Sequence, residues 1–188
     1  MRPIIDYPIA YFITTVTKDR RRLFCDVRLA HRIATMIRMA CRTKGYFLLG
    51  FCILPDHVHL LVMRQGILVT AFGGIPPSFE MNICGGKRTP WVRGREATDL
   101  SSPYTEGTLS RVPASVGDLM RSMKGTFSRT IQQGKIWQRR YHLRHVMNSE
   151  DLLNVVNYIQ YNYQKDDLPE SYEREPYMWL NKSILGAF

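Results

Sequence analysis

The sequence predicts an α+β fold, a four-stranded antiparallel sheet with two helices on one face and a third helix near the C-terminus. Three observations predict it. Stretches rich in aromatic and β-branched residues alternate with segments whose apolar residues recur at helical spacing. Their order is strand, helix, strand, strand, helix, strand, helix. The middle two strands are joined only by Pro55-Asp56, so they pair as a hairpin. The first six elements make the split β-α-β arrangement of a ferredoxin-like fold. In that arrangement both crossover helices cover one sheet face, and the other stays free for the last helix and a ligand.

Residues 7–17 read as the first strand, and the basic turn Lys18-Asp19-Arg20-Arg21-Arg22 follows. That turn is either a solvated loop or a phosphate contact. Asp26 caps a helix running to about Lys44, with Leu29, Ile33, Ile37 and Ala40 as its buried stripe and Gly45 at its end. Arg28, Arg32, Arg38 and Arg42 lie largely off that stripe. Tyr46–Leu54 and His57–Arg64 form the second and third strands.

Residues 65–114 hold seven of the 13 glycines and five of the 10 prolines and show no sustained period, which predicts a flexible insertion. Ser115 with Asp118 resembles a capping box. Leu119, Met123, Phe127 and Ile131 stand four apart, giving a second amphipathic helix that Gly134 closes. Residues 136–147 read as the fourth strand. Asn148 or Ser149 caps the last helix, with Glu150 and Asp151 at its positive end. Its buried stripe is Leu152, Val155, Val156 and Ile159. Asn154, Tyr158, Tyr161, Asn162 and Lys165 share a neighbouring polar stripe, with Tyr158 and Asn162 one turn apart. One domain therefore spans residues 1–168. Residues 169–188 form a tail whose apolar patch Tyr177-Met178-Trp179-Leu180 docks on the body or on a partner.

Composition bounds the function. Lys and Arg outnumber Asp and Glu by 26 to 16, for a formal charge of +10 and a pI near 9.7. That excess points to a polyanionic partner, most simply nucleic acid. Cys25, Cys41, Cys52 and Cys84 are scattered without paired spacing, which argues against a disulfide framework or a zinc knuckle and fits a reducing compartment. The N-terminus lacks a signal-peptide core, and the longest apolar stretch, residues 47–54, is too short to span a bilayer. A cytoplasmic, nucleoid-associated protein with no membrane partner is expected.

The chemistry centres on residues 52–62. Strand alternation puts His57 and His59 on one face, and Val58, Leu60 and Val62 on the core side. Two imidazoles on a rigid strand make half of a metal site. Taken alone, His-x-His more often marks one buried and one exposed histidine on an ordinary strand. His142 and His145 lie three apart on the fourth strand, hence on opposite faces, and do not share a metal.

Leu54-Pro55-Asp56-His57-Val58-His59-Leu60-Leu61, Ile136-Trp137-Gln138-Arg139-Arg140-Tyr141 and Tyr158-Ile159-Gln160-Tyr161-Asn162, in that order, resemble the motifs of the HUH single-tyrosine transposases. Among these the chain is most similar to the REP-associated tyrosine transposases, over roughly residues 7–64 and 115–168. The resemblance implies a ferredoxin-like catalytic domain that cuts and rejoins single-stranded DNA at hairpin-flanked sites. It implies His57 and His59 as metal ligands, Asn162 as the third, and Tyr158 as the nucleophile. The product would be a 5′-phosphotyrosine and a free 3′-hydroxyl. The chain departs from the family pattern at Tyr163, where proline is usual, and in the length of its insertion.

Two imidazoles and one oxygen leave open positions on a divalent cation, Mg²⁺ or Mn²⁺. Lys124, Arg139, Arg140 and Lys165 are candidate phosphate contacts, and Trp137 or Tyr141 could stack on an unpaired base. Single-stranded or hairpin DNA is the expected partner, and a homodimer stays open. The alternative is a domesticated, non-catalytic binder of single-stranded or hairpin DNA. A His-x-His hydrolase on an eight-fold β/α barrel is excluded, because 188 residues in this order cannot build one.

Overall fold

The computed structural model describes residues 10–64 and 114–186. The expected flexible insertion lies outside the described residues, apart from Ala114. The elements run β1 (Ala10–Val16), α1 (Val27–Lys44), β2 (Tyr46–Leu54), β3 (His57–Arg64), α2 (Val116–Ile131), β4 (His142–Val146), α3 (Ser149–Lys165), β5 (Met178–Leu180) and α4 (Lys182–Leu185). Strand order in the sheet is β4-β1-β3-β2-β5, with every neighbouring pair antiparallel.

The helices begin where side chains satisfy their free N–H groups. Asp26, Ser115 and Asn148 accept from the backbone N–H of Arg28, Asp118 and Asp151. Gly45 ends α1 in the left-handed conformation at φ 73°, which a residue without Cβ adopts freely. On one face of the sheet α1 and α2 bury Ile33, Ile37, Leu119, Met123 and Phe127 against Ile13, Phe51, Val58, Leu60 and Val62. Each such side chain contributes about 1.5–3 kcal/mol. On the other face, Leu152, Val155 and Ile159 of α3 pack on Leu49, Leu54, Leu61, Met63 and Val146.

Three expectations need correction. The sheet has five strands, not four: residues 178–180 of the tail pair with Gly50, Phe51 and Cys52 of β2. Trp179 stacks on Phe51, and the Arg38 guanidinium lies 5.2 Å and 5.3 Å from the two ring centroids while pairing with Glu175. The fourth strand is shorter than residues 136–147. Regular pairing covers only His142–Val146, and Trp137 makes an isolated bridge to Thr17. From one contact to the other β1 advances three residues and the partner five, so residues 139–141 bulge out of the ladder. Finally, α2 stops at Ile131 with Gln132 left-handed at φ 50°, before Gly134. Among the described residues no helix is long and apolar enough to cross a membrane.

Candidate active site

The β2–β3 turn delivers Asp56 and then the two histidines onto the α3 face. The register aligns Thr14 of β1, His59 of β3 and Cys52 of β2 in one rung. In that row Thr14 Oγ1 and His59 Nδ1 share a hydrogen bond of 2.8 Å. Next door, His57 Nδ1–H donates to Asp56 Oδ1 at 2.5 Å. Both Nδ1 atoms are thus engaged by partners that orient the rings, and the Nε2 atoms remain for another role. The imidazole centroids are 4.8 Å apart with planes at 89°.

Helix α3 closes over this pair. The Tyr158 hydroxyl lies 3.4 Å from His59 Nε2. Phe12 stacks on the His59 ring at 5.3 Å and meets the Tyr158 ring edge-on at 5.7 Å, so one β1 side chain braces both. One turn on, Asn162 is 4 % exposed, and its amide nitrogen reaches the Cys52 thiol at 3.9 Å. The Lys165 ammonium lies 4.3 Å from the Tyr158 ring centroid. At the other end of α3, Arg144 of β4 pairs with Asp151.

The electrostatics follow from burial. His59 is pushed down to about 3, first by burial and then by the charges of His57 and Lys165, so its ring is held neutral with a lone pair available. Burial works against ionised Asp56, but His57 and Arg20 outweigh it, and the carboxyl lies below its ordinary range. Burial raises the Tyr158 phenol, helped by Cys52 and Asp166, while the Asn162 amide partly offsets the rise. Burial also takes the Cys52 thiol to about 12, which keeps it an uncharged packing group.

The structure brings His57, His59, Tyr158, Asn162 and Lys165 together. It does not bring the other expected DNA contacts to them. Lys124, Trp137 and Arg139 line a separate groove of about 590 Å³ between α2 and residues 134–141. There the Lys124 ammonium donates to the backbone oxygens of Gln138 at 2.6 Å and Arg140 at 3.5 Å, and burial lowers its pKa. Trp137 packs against Phe24 and Phe127, so its ring is largely part of the core. Arg139 and Arg140 are exposed. Among the described residues no three His, Cys, Asp or Glu side chains converge as a metal cluster, and the expected third ligand is an amide, which falls outside that set.

Thr14 and Phe12 escaped the sequence reading. Thr14 is 45 residues from His59, and only the β1–β3 register joins them. Asp56 carried a usable signal, since a carboxylate beside a strand histidine can hold its Nδ1–H.

Residues 6–67 match the family model described as "Transposase IS200 like". A Haemophilus influenzae protein described as a REP-associated tyrosine transposase is 21% identical over 174 residues, covering 93% of this chain and 81% of its own length. A solved structure of a REP-associated tyrosine transposase bound to a REP hairpin shares the fold at a TM-score of 0.55 and 17% identity, over 90% of this chain and 77% of that one. The segment that bears His57 and His59 is thus similar to the IS200-like transposases, and most of the chain is similar in sequence and fold to REP-associated tyrosine transposases.

Proposed function

We propose that the chain cuts and rejoins single-stranded DNA beside hairpins, with Tyr158 as the nucleophile and a divalent cation held by His57, His59 and Asn162. The observation that carries this reading is the Tyr158 hydroxyl 3.4 Å from His59 Nε2, beside two histidines whose Nδ1 atoms are held by Thr14 and Asp56. The donor set fits a cation such as Mn²⁺ or Mg²⁺: two imidazoles with Nε2 free of backbone partners, and one amide oxygen. His59, neutral down to about pH 3, keeps its lone pair throughout the physiological range. When bound, the cation supplies charge neutralisation on the scissile phosphate and favours the phenolate that burial alone disfavours.

The protein's own groups do the rest. Tyr158 Oη attacks phosphorus, the P–O3′ bond breaks, and a 5′-phosphotyrosine and a 3′-hydroxyl result. The phenol gives up one proton and the leaving oxygen takes one, so the step is balanced. Attack by a 3′-hydroxyl on the phosphotyrosine reverses it, with no external energy source. Phe12 limits the ring's freedom, and Lys165, its ammonium 4.3 Å from the Tyr158 ring centroid, would meet the phosphate under attack.

A labelled hairpin oligonucleotide with single-stranded flanks, incubated with Mn²⁺, tests the proposal. A covalent protein–DNA adduct present in the unaltered chain and absent in Tyr158→Phe supports it. Binding without adduct, whatever the metal and flank sequence, would instead identify a non-catalytic hairpin-binding protein.

A further inference from the structure

The basic turn at residues 18–22 is built more rigidly than a solvated loop requires. Thr17 Oγ1–H donates to the Arg21 oxygen at 2.8 Å, and Thr17 N–H to the Asp56 oxygen at 2.8 Å. Lys18 N–H donates to the Ile136 oxygen at 2.7 Å, and the Arg21 guanidinium to the Lys135 oxygen at 2.8 Å. Within this frame Asp19 and Arg20 are both left-handed, at φ 56° and 50°. Two adjacent non-glycine residues there are uncommon, and such conformations cluster at functional sites. The strain has a visible result: Arg20 and Arg22 line a cavity of about 320 Å³ whose wall also includes His57.

We infer that this cavity, on the DNA-cleavage reading above, binds a second phosphodiester of the strand, next to the one presented to Tyr158. Guanidinium groups match phosphate oxygens in a fork geometry. Arg20 also donates to Asp56 Oδ2 at 3.2 Å, while its side chain stays 69% exposed and open to a further partner. Two carboxylates line the same cavity. The charge of Asp56 is met by His57 and Arg20; Asp166, at the end of α3, holds an anion to the arginine side. Pro55 and Leu168 supply apolar wall for a sugar. The cavity thereby sets the direction in which the strand leaves the histidine pair.

Binding in the Tyr158→Phe background tests this without chemistry. Fluorescence anisotropy is measured against salt on hairpins with single-stranded flanks, taken from DNA beside the gene. Arg22→Ala is compared with Arg42→Ala, and Arg20→Ala/Arg22→Ala with Arg32→Ala/Arg42→Ala, equal charge losses at exposed positions of α1. The double variant is expected to bind about 10- to 100-fold more weakly. Its salt slope should be shallower by about 0.7 per lost phosphate contact, with both α1 variants near the parent. One uncharged methylphosphonate, moved along the flank, should weaken the parent at a single position and leave the double variant indifferent there. Unchanged slopes, or no such position, overturn the inference while DNA cleavage stands. A reduced slope with no adduct in the Tyr158-containing chain overturns cleavage and leaves the phosphate site. No binding by the parent overturns both.

Discussion

On the face covered by α1 and α2, β3 contributes Val58, Leu60 and Val62, none more than 2 % exposed. On the face covered by α3 the same strand contributes His57 and His59 before Leu61 and Met63. Along β3 the first set is apolar from Val58 to Val62, with buried Thr15 of β1 opposite Val58. The second set is apolar where Leu61 and Met63 lie under α3 beside Ala10 and Val146, and it carries the two histidines toward the Pro55 turn. One alternating strand therefore serves two ends, because its two sets of side chains point to opposite faces of the sheet. The polar end tolerates buried His59 and Asn162 because Thr14, Tyr158 and Cys52 partner them.

The largest expected effect lies on the polar face. Tyr158→Phe should lower adduct formation by at least about 10³-fold, as for other nucleophile removals, with little change in melting temperature. A substantial loss of folding there would mean that the two faces are not divided as described.

On the apolar face the order reverses. Phe127, fully buried between Phe24 and Trp137, should cost about 3–5 kcal/mol when changed to Ala, measured by urea unfolding. The fraction that stays folded should retain the Tyr158–His59 geometry.

A pH titration sharpens the contrast. His59 binds a proton near pH 6.5 when unfolded and only near pH 3 when folded, so between those values the unfolded state holds more protons. Its contribution is complete above about pH 6.5 and is lost as pH falls toward 3, on the order of 5 kcal/mol in all. Metal-free protein should show that acid loss, and His59→Gln should flatten it. Identical curves for the two proteins would mean that His59 is not buried in its neutral form.

The smallest effect concerns the strand that joins both faces at the sheet edge. A Cβ at Gly50 would stand 2.6 Å from Leu180 Cδ2 and 3.1 Å from the Trp179 oxygen. Gly50→Ala should cost about 1–2 kcal/mol and speed hydrogen exchange in β5, leaving the Tyr158 site intact.

Much of this was legible in the sequence for local reasons. The caps at Asp26, Ser115 and Asn148 and the bounds of β2 and β3 depend on residues within four positions of one another. The placement of Tyr158 near His59, 99 residues away, followed from a motif resemblance rather than from any local signal. What the sequence hid was nonlocal or backbone-borne. Nothing in the short run Met178–Leu180 shows that it will pair with Gly50, more than 120 residues earlier, and the bulge at residues 139–141 appears only once β1 is beside it. Charge patterning was silent for a related reason. Lys124 lies off its helix's apolar stripe, and the backbone oxygens of Gln138 and Arg140, distant in sequence, accept from its ammonium.

Arg144 grips α3 at Asp151, and the chain leaving α3 is stitched back to β2 through β5, so the helix is moored at both ends over imidazoles of its own chain. On the proposed roles, the nucleophile and both imidazoles then come from one polypeptide. Mixing a Tyr158→Phe chain with a His59→Gln chain should then restore nothing, and turnover per molecule should be independent of dilution.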